Sequence, residues 1–386
     1  MNEIQMSGIA SPLLDHCPET LPATWYYDPA HFEREIKAIW ARQWIYAGRA
    51  NDLGPNTLRR LQAAGQNLIL VKDAAGSVTC FHNTCRHRGA ELCQAETAHL
   101  KSKLIICPYH EWAYSLQGQL VRVPYASPTA DFQMADHGLL KVNSKEWNGF
   151  LYVCLADTPP DFDEAPDLGV DALDNWPVKD LVTGHLLVKQ IDCNWKVFWE
   201  NYNECLHCPG IHPELSDLVP VYAKGLMAPN EAPDWMPGTT RTGEALKQGA
   251  RSWTMNGKPC GPEFLNLDDA QRQAGHTFVT LWPTMYVVAH VDYLRVVSLR
   301  PIGPERTELR AEWLFPRETL AAPGFDLDNV TRFVTAVIEQ DDAASEINQR
   351  GLKSAAFKAG RLMPQEFDVY RFQQWVREQL EHGSAP

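Results

Sequence analysis

Two short stretches decide the fold around them: Cys85-Arg86-His87-Arg88-Gly89 and Cys107-Pro108-Tyr109-His110-Glu111-Trp112, with nineteen residues between His87 and Cys107. Each arm brings one thiol and one imidazole, so two opposed loops offer two of each. That set suits a [2Fe–2S] cluster in which two cysteines hold one iron and two histidines the other. It is also a zinc donor set, although zinc arms more usually pair like with like. Gly89 and Pro108 suit tight turns, and Tyr109 and Trp112 are placed to keep water from a redox centre. Cys80, His82, Cys93 and His99 lie close by without the paired spacing and read as core or surface residues.

Outward from these loops, residues 58–155 read as short alternating strands, such as 67–71 and 149–153, punctuated by Gly, Asn and Asp. Upstream, Asp28-Pro29 precedes Phe32, Ile36, Ile39 and Trp40 on one helical face, and Trp44 extends the apolar character: a packed opening helix. Residues 157–166 are rich in proline and acid and read as a linker. Beyond them come a helical stretch over 194–215 and a poorly periodic region over 216–275. Strands at 277–288, 293–301 and 308–315 and a long helix over about 327–350 make the second half α+β. The expected division is an N-terminal segment (1–45) packing on the catalytic part, an all-β domain (46–157) and a catalytic domain (158–386).

With 386 residues, 45% hydrophobic and 22% charged, the chain can bury two cores. Its net charge of −13 would be repelled by nucleic acid or an anionic membrane and would suit a basic protein partner. There is no apolar run long enough to span a bilayer, and the first residues lack the layout of a signal peptide. A cytoplasmic protein is expected, its ten cysteines being reduced thiols or metal ligands.

A second constellation lies further along. His207 and His212 are five apart, which on a continuous helix turns their side chains roughly 140° from each other. They can share a metal only if the helix breaks between them, and Pro209-Gly210 is the expected break. Glu204, three residues before His207, is expected on the same face. In the late helix Val330, Phe333, Val334, Val337 and Ile338 form an apolar stripe whose next member is Asp341. An inward carboxylate is costly unless it meets a metal or cation. Asp342, about 100° further round, is expected to be solvated. Two histidines and a carboxylate make the facial triad of non-haem iron(II) oxygenases, with positions left open for O2.

On these motifs the chain resembles the Rieske non-haem iron oxygenase family, catalytic (alpha) subunit, from about residue 25 to its end. Cys85-x-His87 and Cys107-x-x-His110 match the cluster motif, the slightly long gap reading as an extended loop over 95–103. Glu204-x-x-His207-x4-His212 matches the iron motif, and Asp341, in Gln340-Asp341-x4-Glu346-x-x-Gln349-x-Gly351, its third ligand. The resemblance implies an N-terminal all-β Rieske [2Fe–2S] domain followed by an α+β helix-grip catalytic domain with mononuclear iron. It also implies O2 as co-substrate, NAD(P)H electrons through a separate flavin and iron–sulfur reductase, and a head-to-tail homotrimer. In such a trimer Glu204, with His110 or His87, would bridge the cluster of one subunit to the iron of the next.

Glu rather than Asp at that bridge resembles the branch acting on glycine betaine, carnitine, stachydrine and other quaternary amines. Residues 252–259 and 283–325 are similar to the same branch. The implied reaction hydroxylates an N-methyl C–H bond, and the resulting hemiaminal loses formaldehyde. Aromatic faces would hold such a cation, and Trp253, Tyr286, Trp282, Tyr202 and Phe278 are available. A substrate carboxylate would want one of Arg241, Lys247, Arg251 or Lys258. Two other readings compete: hydroxylation or demethylation of an aromatic acid by the same machinery, and a zinc-stabilised binding protein with a lipid-like cavity.

Overall fold

A computed structural model describes residues 11–162, 170–236 and 246–383. Its contacts gather residues 36–165 into one unit, and residues 1–35 with 166–386 into another. Helix α1 (Pro29–Glu35) runs directly into a π-helical turn at Ile36–Trp40, so the chain changes unit inside the opening helix. The expected linker falls partly on 163–169, outside the described residues.

The smaller unit is all-β. Its strands are β1 (Ile45–Arg49), β2 (Thr57–Ala63), β3 (Gln66–Lys72), β4 (Val78–His82) and β5 (Thr97–His99), then β6 (Leu104–Ile106), β7 (Ala113–Ser115), β8 (Leu120–Arg122), β9 (Lys141–Trp147) and β10 (Phe150–Cys154). Seven pair in the order β1-β10-β9-β4-β3-β2-β5, and β6-β7-β8 form a separate small sheet. Two hairpins have two-residue turns with positive φ at both positions, Ala64-Gly65 and Asn148-Gly149, which matches the twist of the strands they join. These turns set Ala63 opposite Gln66 and Trp147 opposite Phe150. The stretch expected as a plain loop over 95–103 contains β5, an edge strand paired to β2, where Thr57 Oγ1 lies 3.0 Å from His99 Nδ1.

The larger unit is built on one antiparallel sheet of β11 (Val182–Ile191), β12 (His276–Leu281), β13 (Met285–His290), β14 (Leu294–Gly303) and β15 (Arg306–Phe315), in the order β11-β15-β14-β13-β12. Its helices after α1 are α2 (Trp195–Tyr202), α3 (Cys208–Ile211), α4 (Pro213–Leu218), α5 (Asp269–Ala274), α6 (Arg317–Ala321), α7 (Leu327–Leu352) and α8 (Phe367–His382). Helix α2 is fixed from below by a buried charge pair. Lys196 Nζ donates to Glu35 Oε1 at 2.5 Å and to Asn194 Oδ1 at 2.8 Å, while Trp195 Nε1 donates to Glu35 Oε2 at 2.9 Å. Lys196 and Glu35 are both fully buried, so losing either partner would strand the other's charge, at roughly 3–5 kcal/mol. Among the described residues no helix is long and apolar enough to cross a membrane.

Candidate metal centres and substrate pocket

The two loops of the smaller unit share one hydrogen-bond frame. In the first, Cys85 N donates to Ala90 O and Gly89 N to Cys85 O, at 2.8 and 3.0 Å; in the second, Cys107 N donates to Trp112 O and Glu111 N to Cys107 O, at 2.8 and 3.1 Å. The fifth residue of each loop, Gly89 or Glu111, has positive φ. Both thiols are buried in the apolar core, at 3% and 1% exposure, whereas His87 is exposed and His110 half-exposed. The imidazole rings lie 4.6 Å apart at 75°, and His87 stacks on Trp112 at 4.6 Å. Slight burial and the neighbouring His110 and Arg88 lower the pKa of His87. Sequence reasoning missed Tyr114 on β7. Its hydroxyl lies 3.2 Å from Cys85 Sγ and accepts from Arg86 N at 3.1 Å.

In the larger unit the break around the two histidines is not where the sequence placed it. Helix α2 ends at Tyr202, and residues 203–207 form the turn, so Glu204 and His207 do not share a helix face. Pro209 and Gly210 lie inside α3, where proline is tolerated because first-turn N–H groups have no helical partner. His207 caps the start of this single turn and His212 its end. The two rings come to 5.2 Å between centroids. Asp341 on α7 meets both: its Oδ1 is 2.8 Å from His212 Nε2 and 3.5 Å from His207 Nε2. On the far side of each ring, Glu204 Oε1 stands 2.5 Å from His207 Nδ1 and Gln340 Oε1 stands 2.8 Å from His212 Nδ1. With each Nδ1 hydrogen-bonded outward, both Nε2 atoms turn toward Asp341, the arrangement a metal needs. Gln340 went unnoticed in the sequence.

Burial opposes charge on His207, but the carboxylates of Asp341 and Glu204 overcome it and push its pKa up to about 9. Burial likewise works against ionised Asp341, yet the two histidines hold its carboxyl below the usual range. Two expectations are corrected. Asp342 is not solvated: it is 4% exposed and ion-paired to Lys189, because the neighbouring strand covers that side of α7. Cys205 and Cys208 are joined in a disulfide, so Cys208 offers no thiolate beside His207 and His212, and Asp341 completes the group instead. The other eight cysteines are free.

The pocket beside this group is lined by Tyr202, Trp253, Phe278, Tyr286 and Arg295, along with Glu204, His207, His212 and Asp341. Tyr202 and Tyr286 stack at 4.1 Å. Trp282 is not there: it packs on Phe372 and Trp375 of α8, at 5.3 and 5.8 Å. Nor are the expected cations. Lys247 pairs with Asp217, Arg251 is clamped by Glu263 at 2.5 and 2.7 Å, Lys258 is exposed, and Arg241 lies outside the described residues. The arginine that does line the pocket, Arg295, sits between Leu294 and the pair Val296-Val297 in the buried half of β14, and a charge inside that apolar run was its only sequence signal.

Residues 43–133 match the family model described as Rieske [2Fe-2S] domain, and residues 172–382, more than half of the chain, match that described as ring hydroxylating alpha subunit (catalytic domain). The chain belongs to the ring-hydroxylating alpha-subunit family. This alpha subunit is therefore an oxidoreductase of the Rieske oxygenase class, its cofactors a [2Fe–2S] cluster and a mononuclear iron, and the zinc-protein reading falls away. It is 29% identical to the glycine betaine monooxygenase oxygenase subunit of Chromohalobacter salexigens, over 94% of this chain and 86% of that one. It is also 29% identical to the carnitine monooxygenase oxygenase subunit of Acinetobacter baumannii, over 89% and 88%. In fold it is similar to a quaternary ammonium Rieske monooxygenase, with a TM-score of 0.74 at 22% identity over 94% and 96% of the chains. A naphthalene 1,2-dioxygenase from Rhodococcus sp. gives a TM-score of 0.68 at 18% identity, over 95% of each chain.

Both donor sets fit these groups. Two buried thiols with two outward imidazoles suit the cluster, and two inward Nε2 atoms facing one carboxylate suit iron with open positions.

Proposed function

We propose that this alpha subunit hydroxylates an N-methyl group of a betaine-like quaternary amine, with formaldehyde released afterwards. The observation that carries the reading is that aromatic walls and the His207, His212 and Asp341 group line one pocket. A quaternary nitrogen has no lone pair to oxidise, so its oxidation begins at a methyl C–H bond. Ring faces attract the cation without offering it a base, which leaves the methyl group the nearest reactive point. The names of the two relatives, glycine betaine and carnitine monooxygenases, point the same way.

In this reading Cys85, His87, Cys107 and His110 hold the cluster, and His207, His212 and Asp341 hold the iron. Bound in these sites, the metals supply electrons and dioxygen activation. Gln340 and Glu204 orient the two imidazoles. Glu204 also lies at the wall of a second cleft that includes Glu200 and Arg361, which suits it to link the iron site to the cluster of a neighbouring copy in a homotrimer. The exposed edges of His87 and His110 are the matching half of such a link. Electrons reach the cluster from NAD(P)H through a separate flavin and iron–sulfur reductase in the cytoplasm, a basic face of which would suit the net charge of −13.

The test is a single turnover with the cluster reduced beforehand, offering glycine betaine, carnitine, stachydrine and a set of aromatic acids. Formaldehyde released in step with O2 consumption from a quaternary amine is the expected result. Turnover confined to the aromatic acids would overturn the assignment in favour of the same machinery acting on another substrate.

A further inference from the structure

Arg295 is the one arginine or lysine lining the pocket among the described residues, and neither pocket carboxylate, Glu204 or Asp341, forms an ion pair with it. Its side chain is 4% exposed, its Nε has no hydrogen-bond partner, and it forms no ion pair with a described residue. Arginine stays protonated, so this is a charge held largely out of water with no carboxylate in direct contact, and an anion entering the pocket would meet it. The sheet places it deliberately. Arg295 on β14 lies opposite Val288 on β13, and Val288 opposite Phe278 on β12, so period-two alternation puts Phe278, Tyr286 and Arg295 on one face.

The guanidinium lies over two ring faces, 5.8 Å from the Trp253 centroid and 6.0 Å from that of Tyr286. Trp253 Nε1 is also buried without a partner, so a second donor on the pocket wall lacks an acceptor. Nearby, His276 and His290 are kept neutral by burial, with the positive charge of Arg295 adding to the effect, and His276 is lowered to about 4. Neither can supply the missing negative charge. At the other end of the pocket stand Glu204 and Asp341. Tyr286 lies within reach of both ends, since its hydroxyl feels the charge of Arg295 and that of Asp341.

We propose that Arg295 anchors a carboxylate on the substrate, and that Trp253 and Tyr286 hold this guanidinium rather than the substrate's ammonium. The inference deepens the betaine reading and rests on it: a zwitterion would lie along the pocket with its anion on Arg295 and its methylated cation toward Tyr202, Phe278 and the iron ligands. An alcohol in place of the carboxylate leaves the guanidinium unmatched, so choline is disfavoured.

Three probes of one shape separate the possibilities: glycine betaine, choline, which keeps only the cation, and 3,3-dimethylbutyrate, which keeps only the carboxylate. Binding to the metal-loaded protein is read by calorimetry and by the change each probe makes in the resonance spectrum of the nitric-oxide-treated iron. Arg295→Gln is expected to weaken both carboxylates roughly 10–100-fold and to leave choline unchanged. Arg295→Lys, which keeps the charge and guards against a misfolded glutamine variant, is expected to recover part of the loss. Unchanged carboxylate binding in Arg295→Gln, equal loss of all three probes, or no carboxylate binding to the wild-type protein would overturn the anchor. Should 3,3-dimethylbutyrate bind as well as glycine betaine and both depend on Arg295, the anchor stands and the quaternary-amine reading fails.

Discussion

His212 Nε2 and Asp341 Oδ1 lie 2.8 Å apart across 129 residues of sequence. Helix α7 brings the carboxylate, and the turn at α3 brings the imidazole. Asp341→Ala is expected to lose the mononuclear iron while the cluster stays, as read by metal analysis and the cluster's visible spectrum. Asp342→Ala is expected to keep both metals and cost about 1–3 kcal/mol in unfolding experiments, because it removes the partner of Lys189. Loss of iron from the second variant instead of the first would exchange their roles.

Glu204 stands against His207 and faces two cavities. Glu204→Gln keeps a hydrogen-bonding oxygen, so iron should remain, but the link between centres should be slower by roughly 10–100-fold. Stopped-flow reoxidation of the reduced cluster in the presence of substrate and O2 measures this. Reoxidation at the wild-type rate would remove Glu204 from the electron path.

Tyr114 can donate to Cys85 Sγ, and a hydrogen bond to a cluster sulfur favours the reduced, more electron-rich state. Tyr114→Phe should retain the cluster and lower its reduction potential. A bond of about 1 kcal/mol corresponds to roughly 40 mV for one electron. Redox titration followed by circular dichroism gives the value.

Glu200 lies in the wall of the second cleft, accepting from Tyr26 Oη at 2.5 Å and from Gln373 Nε2 at 2.8 Å. Burial outweighs these donors and raises its pKa from 4.5 to about 7. The folded state therefore binds this proton more tightly than the unfolded one. Its stabilising effect is complete below pH 4.5 and is lost as pH rises through about 7. Glu200→Gln should flatten that slope by no more than about 3 kcal/mol between pH 5 and 8, read from urea unfolding at each pH. An equal slope in both proteins would show that another group sets it.

The parts of the site that local spacing controls were legible in the sequence. Cys85, His87, Cys107 and His110 fall in two loops whose register is written in a few neighbouring residues, and Asp341 follows from the stripe on α7. What failed depended on neighbours distant in sequence. Asp342 could be placed only by knowing that Lys189 covers it, and β11, which carries that lysine, was not foreseen because only its last residue is buried and its apolar signal is weak. Trp282 and the pocket aromatics are alike in composition, and only the packing of α8, a helix also not foreseen, separates them. Pro209 misled because proline at the start of a turn supports the helix that it would break further in. Arg295 was passed over because the cations considered lay in one irregular segment rather than on a strand.

The single turn of α3, closed by His207 before it and His212 after it, works as a spacer of fixed length. One residue added or removed there would swing one imidazole about 100° away from Asp341. The loops that join the elements between His212 and α7 carry no such restriction, since lengthening a surface loop costs only a few tenths of a kcal/mol at a time, whereas the strands β12–β15 within that stretch hold their register by pairing. Insertions that retune the pocket are thus tolerated in the loops after His212 and forbidden between the two histidines, and variation in chain length within this family should avoid the four residues of α3.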